Sequence, residues 1–560
     1  MEALLFELDS IQDFLFASGR LRDVTGASEL LDRLTNPNAN DNLLDAVCEA
    51  AGLSLASGEV PQADEIAFSR RAGGAFYAFS QSRLPLEKLR DLWTLAIQQA
   101  VPHLTYSLGM GSGDTAAEAF QAARQALMAD NSRLRPTLPA AAPVAVRSRR
   151  TGLPGVEFDA KGKDGVRDAA TVRRKAFADL SNSTFLQRFN PEEANLAWRD
   201  WPRDLEPEKK DSKASFPFKK DETPILALIH ADGNGLGLIL QALNNTANQN
   251  PDVFIPLYSE FSRLVDRVTS AAAKTATAQV LLPARQRDNS QCLPARPILL
   301  GGDDITLLVR ADLAMDYVRT FTESFEKESE EALSQLQKAR QITGSLPRRL
   351  TLGIGLVYLR ATQPFRMAIR LAESLTKTAK QAAKAHDETD PPSAIAFHRV
   401  TASLIEDYDD LVAQALTHHH GNQIYLDTLG AYFLGNSNLK PGLDDLLELT
   451  DLLGADDMAR GPTRQLFTLM GHSLGEARQR YRRWRQVMQE THKEKLKHFD
   501  QLMNNLAAIK AGNDLPYSSP NNNSRQQRTP LGDVLALMGA GHKTLAPGSS
   551  STNTKEEAAA

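Results

Sequence analysis

The residues best equipped for chemistry are Gly301-Gly302-Asp303-Asp304, set between Pro297-Ile-Leu-Leu and Ile305-Thr-Leu-Leu-Val. Two apolar, β-prone runs broken by Gly-Gly predict a tight hairpin, because glycine alone reaches the positive φ angles such turns need. Its tip then carries two adjacent carboxylates. Carboxylates with nothing basic beside them can hold a hard divalent cation through oxygen ligands, although an acidic surface turn between strands reads the same way. A second run favours the cation. Pro224-Ile-Leu-Ala-Leu-Ile-His-Ala has strand length and ends in Asp232-Gly-Asn-Gly-Leu-Gly237, before the helix-like Leu238-Ile-Leu-Gln-Ala-Leu243. Asp232 becomes a metal ligand at the carboxyl end of a strand. The turn Gly233, Asn234, Gly235, Leu236 and Gly237 points backbone N–H groups at a phosphate held by the helix N-terminus. Two cations held by Asp232, Asp303 and Asp304 would deprotonate an attacking hydroxyl, neutralise an α-phosphate and stabilise departing pyrophosphate, which is metal-assisted phosphoryl or nucleotidyl transfer.

The glycines also invite a dinucleotide-binding reading, which fits poorly. Their spacing is G-x-G-x-G, Leu238 stands where the third fingerprint glycine belongs, and Asp252 and Glu260 give no clear strand-end acid. No Walker loop, His-Glu-x-x-His or Gly-x-Ser-x-Gly motif competes for the chemistry.

Ala231-Asp-Gly-Asn-Gly-Leu-Gly237 with Gly301-Gly-Asp-Asp304 resembles the catalytic palm of the large, polymerase-like subunit of type III CRISPR effector complexes. More distantly it is similar to GGDEF diguanylate cyclases. Phe6-Glu-Leu-Asp-Ser-Ile-Gln-Asp-Phe14 and Ser18-Gly-Arg-Leu-Arg-Asp-Val-Thr-Gly-Ala-Ser28 resemble the opening of the CRISPR subunit's first palm, a segment the cyclases lack.

The elements that must position these residues occur twice. Asp9, after Leu4-Leu-Phe-Glu-Leu8, parallels Asp232, and Arg71-Ala-Gly73-Gly74-Ala75-Phe76 parallels the acidic hairpin with Gly73 against Gly301. Leu104-Thr-Tyr-Ser-Leu-Gly-Met-Gly111 parallels Leu350-Thr-Leu-Gly-Ile-Gly355, and an alanine-rich helix follows each, Ala116 to Ala129 and Pro364 to Lys384. The order predicts an α+β chain with two ferredoxin-like palms packed as a pair, joined by a helical linker and followed by a helical C-terminal domain. The first hairpin lacks both acids, so the first palm is expected to bind nucleotide or brace the second without catalysing.

Lys377, Lys380 and Lys384 share one face of the second palm's closing helix. The resemblance implies that Lys380 reaches a triphosphate; a solvated lysine face is the other reading. The expected domains are residues 1–130 (first palm), 131–222 (linker), 223–400 (second palm), 401–510 (helical domain) and 511–560 (disordered tail with a short apolar turn near Val534 to Met538).

At 560 residues the chain exceeds a single core. With 42% apolar and 24% charged residues and a net charge of −5, it has an ordinary globular composition and no overall grip on nucleic acid. Cys48 and Cys292 alone support neither a disulfide framework nor a cysteine zinc site. No signal peptide or long apolar run occurs, so a cytoplasmic protein without membrane contact is expected.

Two departures from the family pattern stand out. Arg147-Ser-Arg-Arg-Thr-Gly-Leu-Pro154 lies where many members carry a C-x-x-C-G zinc ribbon, and a sequence that opens almost directly on the first palm is expected to lack the N-terminal HD nuclease domain of many relatives. His386-Asp387 lacks the further histidines of such a nuclease and reads as a helix end, so DNA cleavage is not expected. In the C-terminal region, the basic stretch 476–497 holds Arg478, Arg480, Arg482, Arg483 and Arg485 around Tyr481 and Trp484. It reads as an amphipathic helix with its aromatics inward, or as an RNA contact. His418-His-His420, with no acid or cysteine near it in sequence, reads as a loop.

The resemblance implies a nucleotidyltransferase making cyclic oligoadenylate from ATP with Mg²⁺ or Mn²⁺, within a guide-RNA complex of other CRISPR effector subunits that recognises target RNA. Asp232, Asp303 and Asp304 would hold the metals, Gly233 to Gly237 with Gly301 and Gly302 would shape the nucleotide site, and Lys380 would neutralise the triphosphate. Two alternatives remain: a nucleotide-binding scaffold with little or no synthesis, since Asn234 stands where many relatives have a second aspartate, and a free-standing signalling cyclase.

Overall fold

Glycines at matched places in two sheets, the first of Leu-Gly-x-Gly in one palm and the second in the other, let a helix lie on each sheet. In the computed structural model a Cβ on Gly109 would come within 2.0 Å of Ala123 O, and one on Gly355 within 2.0 Å of Ala372 O. Only glycine lets a helix lie this close on a strand. The helices are Ala116–Asn131 and Phe365–His386, and the strands are Tyr106–Ser112 and Thr351–Arg360. The structure describes every residue except 40, 57, 59, 134–141, 160–164, 179–182, 206–214, 220–222, 343–345, 402–404, 436–437, 456, 459, 519–524 and 543–560.

The first sheet runs, edge to edge, Ser54–Leu55, Glu65–Ala72, Ala75–Ser80, Glu2–Leu8, Tyr106–Ser112. The second runs Ala431–Phe433, Ala394–Arg399, Thr351–Arg360, Ile225–Asn234, Asp304–Arg310, Ala295–Gly301. The four strands common to both follow the antiparallel ferredoxin-like order, in which the first strand lies between the last strand and the returning arm of the hairpin. The α+β architecture with two palms is therefore as the sequence predicts.

Both palms belong to one compact unit, Met1–Arg310, Tyr317–Ala415 and Gly430–Asn436. Their core is continuous, because Phe79 and Phe120 of the first palm pack edge-on or tilted against Phe254 of the second, at 5.8 and 5.5 Å between centroids. Tyr258 stacks on Phe254 at 4.4 Å. Phe254 is fully buried, so truncating it to alanine would cost about 3–5 kcal/mol. The linker packs into the same unit without cysteines. Its hairpin, Gly155–Asp159 and Gly165–Asp168, leads into the helix Ala169–Phe177, capped by Asp168 accepting from Thr171 N at 2.9 Å. That helix crosses Leu21–Thr35 at Gly26, where a Cβ would stand 1.8 Å from Arg174 O.

The second unit comprises Ala311–Asp316, Leu416–Leu429 and Ser437–Ala560. It is less purely helical than expected. His418–His420 lie in the strand Thr417–His420, not in a loop, and His418 Nε2 meets Asp427 Oδ2 at 2.8 Å, an acid the local sequence does not reveal. Tyr517 also donates to Asp427, at 2.6 Å. Within the segment expected to lack structure, Gln526–Arg528 pairs in parallel with Gln423–Leu426, and Leu531–Ala540 is a helix that buries Leu531, Val534 and Leu537. Its apolar residues outweigh the polar composition around them; residues 519–524 and 543–560 of that segment lie outside the described residues. In the basic helix Leu474–Thr491, Tyr481 is buried, Trp484 packs edge-on to Phe499 at 5.0 Å, and Arg485 makes a two-pronged pair with Asp500. The amphipathic reading accounts for these aromatics. No helix among the described residues is long and apolar enough to cross a membrane.

Candidate active site

Strand register brings the acids together. Asp232 pairs with Gly353 on one side, and on the other Ile305 lies opposite Ala231, which sets Asp304 beside Asp232 on the neighbouring strand. Asp303 joins them from the hairpin turn, so that one carboxylate oxygen of each of Asp232, Asp303 and Asp304 lies within 4.8 Å of the others. Gly302, at φ +71°, makes the turn. Two further glycines keep room for the cluster. A Cβ on Gly233 would lie 2.9 Å from Asp303 Oδ2, and one on Gly353 would lie 2.3 Å from Lys380 Cγ.

Lys380 comes down from the helix Phe365–His386 to bond Asp232, and it donates to Gly233 O at 2.8 Å. Of the three helix-face lysines it alone reaches the acids: Lys377 is exposed, and Lys384 pairs with Glu388 at 3.3 Å. Burial would raise the Asp232 pKa, but the Lys380 ammonium and hydrogen bonding outweigh it and hold the group below the ordinary carboxylate value. Asp303 is pushed up to about 6 by burial and by the Asp232 charge. Burial, followed by the charges of Asp232 and Asp303, carries Asp304 well above its usual range. Three clustered carboxylates facing one ammonium carry an excess of negative charge that a divalent cation would relieve. Oxygen donors so grouped could hold a hard divalent cation.

The glycine-rich turn is divided in its duties. Gly235, at φ +70°, caps the helix Leu236–Gln249. Asn234 turns inward, donating to Thr351 Oγ1 at 3.2 Å and Pro392 O at 3.4 Å, and is not brought to the acids. Leu236 packs its Cδ1 3.3 Å from the Cβ position of Gly233, while Gly237 faces open space. A polar cleft of about 340 Å³ adjoins this turn, lined by Asn234, Gly235, Gln241, Asn245 and Arg349 among others.

The hairpin is held from residues that sequence reasoning missed. Thr269 of the helix Phe254–Ala276 donates to Gly302 O at 2.7 Å, and Arg188 donates to Leu300 O at 2.7 Å while pairing with Asp32 and Asp266. Nothing local marks either one. Behind the two hairpins lies a cavity of about 730 Å³, reached by Arg70, Arg71, Arg188, Arg263 and Lys274 and by the acids Asp32 and Asp266.

The first palm corrects the sequence parallel. Glu7 pairs with Ala75, and Ala75 closes the turn against Ala72 as Asp304 does against Gly301. Glu7, not Asp9, therefore occupies the position of Asp232, and Gly73 that of Gly302. Gly74 and Ala75 replace the two hairpin acids. Asp9 instead accepts from Ser107 Oγ at 3.0 Å. Glu7 is engaged within its own palm, accepting from the Tyr77 hydroxyl, to which Arg70 Nη1 donates at 3.2 Å. The two tips touch, since a Cβ on Gly301 would sit 3.3 Å from Gly73 Cα. Arg70, beside that contact, is a further residue missed from sequence; the only trace is an arginine pair next to a glycine tip.

A ferredoxin-like palm with acids at the strand end and hairpin turn, facing a lysine on the covering helix, has a nucleotidyltransferase-like fold. Residues 225–388 match the family model described as Cas10/Cmr2, second palm domain, and the chain is Cas10-like in this palm. Among curated proteins none matches the chain significantly. Similar solved structures include a Csm1–Csm4 cassette in complex with one ATP (14% identity, 68% of this chain and 53% of that one, TM-score 0.37). Others are a Csm1–Csm4 cassette in complex with AMPPNP (12%, 96% and 69%, TM-score 0.42) and Csm1 in T.onnurineus (15%, 84% and 63%, TM-score 0.37). The chain thus spans about half the length of the first of these, 53%.

Proposed function

We propose that this chain is the large subunit of a type III CRISPR effector complex and joins ATP into cyclic oligoadenylate at the second palm. The observation that carries the reading is the meeting of Asp232, Asp303 and Asp304 within 4.8 Å, beside Lys380, in a palm of the Cas10/Cmr2 family. Asp232, Asp303 and Asp304 would hold Mg²⁺ or Mn²⁺. When bound, the cations lower the pKa of an attacking hydroxyl and balance charge on the phosphates. The residues of the chain do the rest. Gly233 to Gly237 let the nucleotide approach the helix N-terminus, Gly301 and Gly302 keep the hairpin slim, and Lys380 can leave Asp232 to neutralise a triphosphate. The first palm lacks two of the three acids, so it serves as the second nucleotide's platform and brace, and the cavity of about 730 Å³ behind the hairpins has the volume and the arginines for a phosphorylated ligand. Partners are other effector subunits, among them a counterpart of the Csm4 that accompanies Csm1 in the similar structures, with guide RNA and target RNA reached through the complex.

A nucleotide-binding scaffold with weak or no synthesis is the second reading. It is favoured by Asn234, which is turned into the core and adds no ligand to the three acids. Incubating the purified protein, and an Asp303→Ala/Asp304→Ala variant, with radiolabelled ATP and Mn²⁺ decides between them. Oligoadenylate from the wild type alone supports synthesis; identical products from both, or none, defeat it.

A further inference from the structure

The cavity behind the hairpins carries a charge opposite to that of the whole chain. The chain has a net charge of −5, yet six cations and only three carboxylates, Asp32, Glu192 and Asp266, line this space. Those carboxylates are all engaged. Asp32 and Asp266 pair with Arg188, and Glu192 meets Lys274 at 3.6 Å. Arg71 is held at 2.6 Å by Asp45, which does not line the cavity. Arg70, Arg263 and Arg267 remain, and none of the three makes an ion pair among the described residues. Arg263 and Arg267 stand one turn apart on the helix Phe254–Ala276, both exposed, at the rim of the cavity. Like charges at i and i+4 repel, a strain that an anion between them removes.

Arg70 is placed by an irregularity of its strand. Phe68 lies opposite Ala78 and Arg70 opposite Tyr77, so Ser69 is the extra residue of a β-bulge. The Ser69 hydroxyl is buried without a partner, so the bulge is kept at a polar cost. It sets Arg70 beside Tyr77, whose hydroxyl accepts from Nη1 at 3.2 Å and whose ring centre lies 5.4 Å from the guanidinium carbon. The second palm has the same bulge between Pro297 and Leu299, and there Leu299 stands in the place of Arg70. The fold thus requires the bulge but not the arginine. A guanidinium fixed in advance, with no carboxylate to satisfy it, is a ready donor to phosphate oxygens. Neither the three acids, nor Lys380, nor Gly233 to Gly237 line the cavity, so it is a place apart from them.

We propose that this cavity is a second anion site, which takes a polyphosphate chain, free or carried by a nucleotide, on Arg70, Arg263 and Arg267. This rests on the reading of the cavity as the place of a phosphorylated ligand and needs no synthesis at the acids. In the full-length protein with EDTA, equilibrium dialysis with radiolabelled ATP and calorimetric titration with inorganic tripolyphosphate should find binding that Arg70→Gln and Arg263→Gln/Arg267→Gln each weaken about tenfold or more. Arg173→Gln, at an exposed arginine outside the cavity, and Lys380→Met should stay within about twofold of wild type. Tripolyphosphate equal to ATP makes the ligand a free chain, and ATP tighter than tripolyphosphate, with AMP weak, makes it a nucleotide; either supports the site. AMP as tight as ATP, an equal loss with Arg173→Gln, a loss with Lys380→Met, or no binding at millimolar concentration overturns it. Because Arg263 and Arg267 are exposed, their double variant should keep the wild-type unfolding midpoint, which separates lost binding from lost folding. Binding here by a protein that makes no oligoadenylate defeats the proposed synthesis alone, and synthesis without this binding defeats the anion site alone.

Discussion

Gly73 and Gly301 lie against each other so closely that a methyl group on Gly301 would stand 3.3 Å from the Gly73 α-carbon. The seam between an acid-free and an acid-bearing hairpin is built of backbone, and its spacing is set by the absence of side chains. Gly73 also holds φ +60°, a region that costs a non-glycine residue about 1 kcal/mol. Gly73→Ala should lower both the thermal midpoint and ATP turnover. Gly152→Ala, at φ +73° but facing open space, should lower the midpoint similarly and leave turnover alone. Equal turnover losses in the two variants would mean that the seam has no influence on the acids.

Lys380 should separate from its neighbours on the same helix. Lys380→Met removes the ammonium that holds Asp232 in its charged form, and kcat/KM for ATP should fall about a hundredfold or more. Lys377→Met should stay within about twofold of wild type, because its side chain is exposed and points elsewhere. Steady-state pyrophosphate release reads both.

Gly353 offers a steric version of the same experiment. Its missing Cβ would lie 2.3 Å from Lys380 Cγ, so Gly353→Ala should displace the lysine from Asp232 while every charged group remains. The expected result is a loss of turnover approaching that of Lys380→Met, with Gly475→Ala, a helical glycine outside the site whose Cβ meets nothing, unaffected. A fully active Gly353→Ala protein would show that the lysine tolerates another path.

Divalent cations should stabilise the protein through the acids. Adding Mn²⁺ at a hundred times its dissociation constant would contribute about 2.7 kcal/mol to the native state. The resulting rise in thermal midpoint should vanish in Asp303→Asn/Asp304→Asn, although that variant starts from a relieved cluster. A rise that survives would place the binding elsewhere.

Acid should destabilise the palm through His398. Burial, reinforced by the Arg399 charge, lowers its pKa to about 4. The unfolded chain then takes up a proton near pH 6.5 that the folded chain refuses until about 4, so stability is complete above the higher value and is lost as pH falls between them. The loss is on the order of 3 kcal/mol. His398→Gln should reduce the fall of denaturant stability over that window without abolishing it, because burial also lowers the His230 pKa to about 4; an unchanged slope would refute the assignment.

Much of the site is legible in the sequence because its signals are local. The Asp232 strand, the glycine turn, the acidic hairpin and the lysine helix each announce themselves by periodicity and turn chemistry within about ten residues. The failures are matters of register and distance. Asp9 follows an apolar run much as Asp232 does, yet strand pairing assigns the equivalent place to Glu7, two residues earlier. Register depends on the partner strand, which linear comparison does not supply. Thr269 and Arg188 act across 33 and 112 residues of chain and have ordinary neighbours. Asn234 shows the reverse, a residue inside a motif whose side chain the fold turns away. The strand and helix after residue 525 are hidden by polar surroundings, since their few apolar residues matter only once a groove exists to take them.

Thr269 has one hydroxyl proton and two carbonyls within reach, Gly302 O at 2.7 Å and Val265 O at 2.8 Å, and it is wholly buried. A donor so placed can serve only one acceptor at a time. The acidic turn is thus moored by a line with a second cleat: the threonine can release the tip onto its own helix without becoming an unsatisfied donor. Small excursions of the acidic turn are therefore cheap for the helix that tethers it.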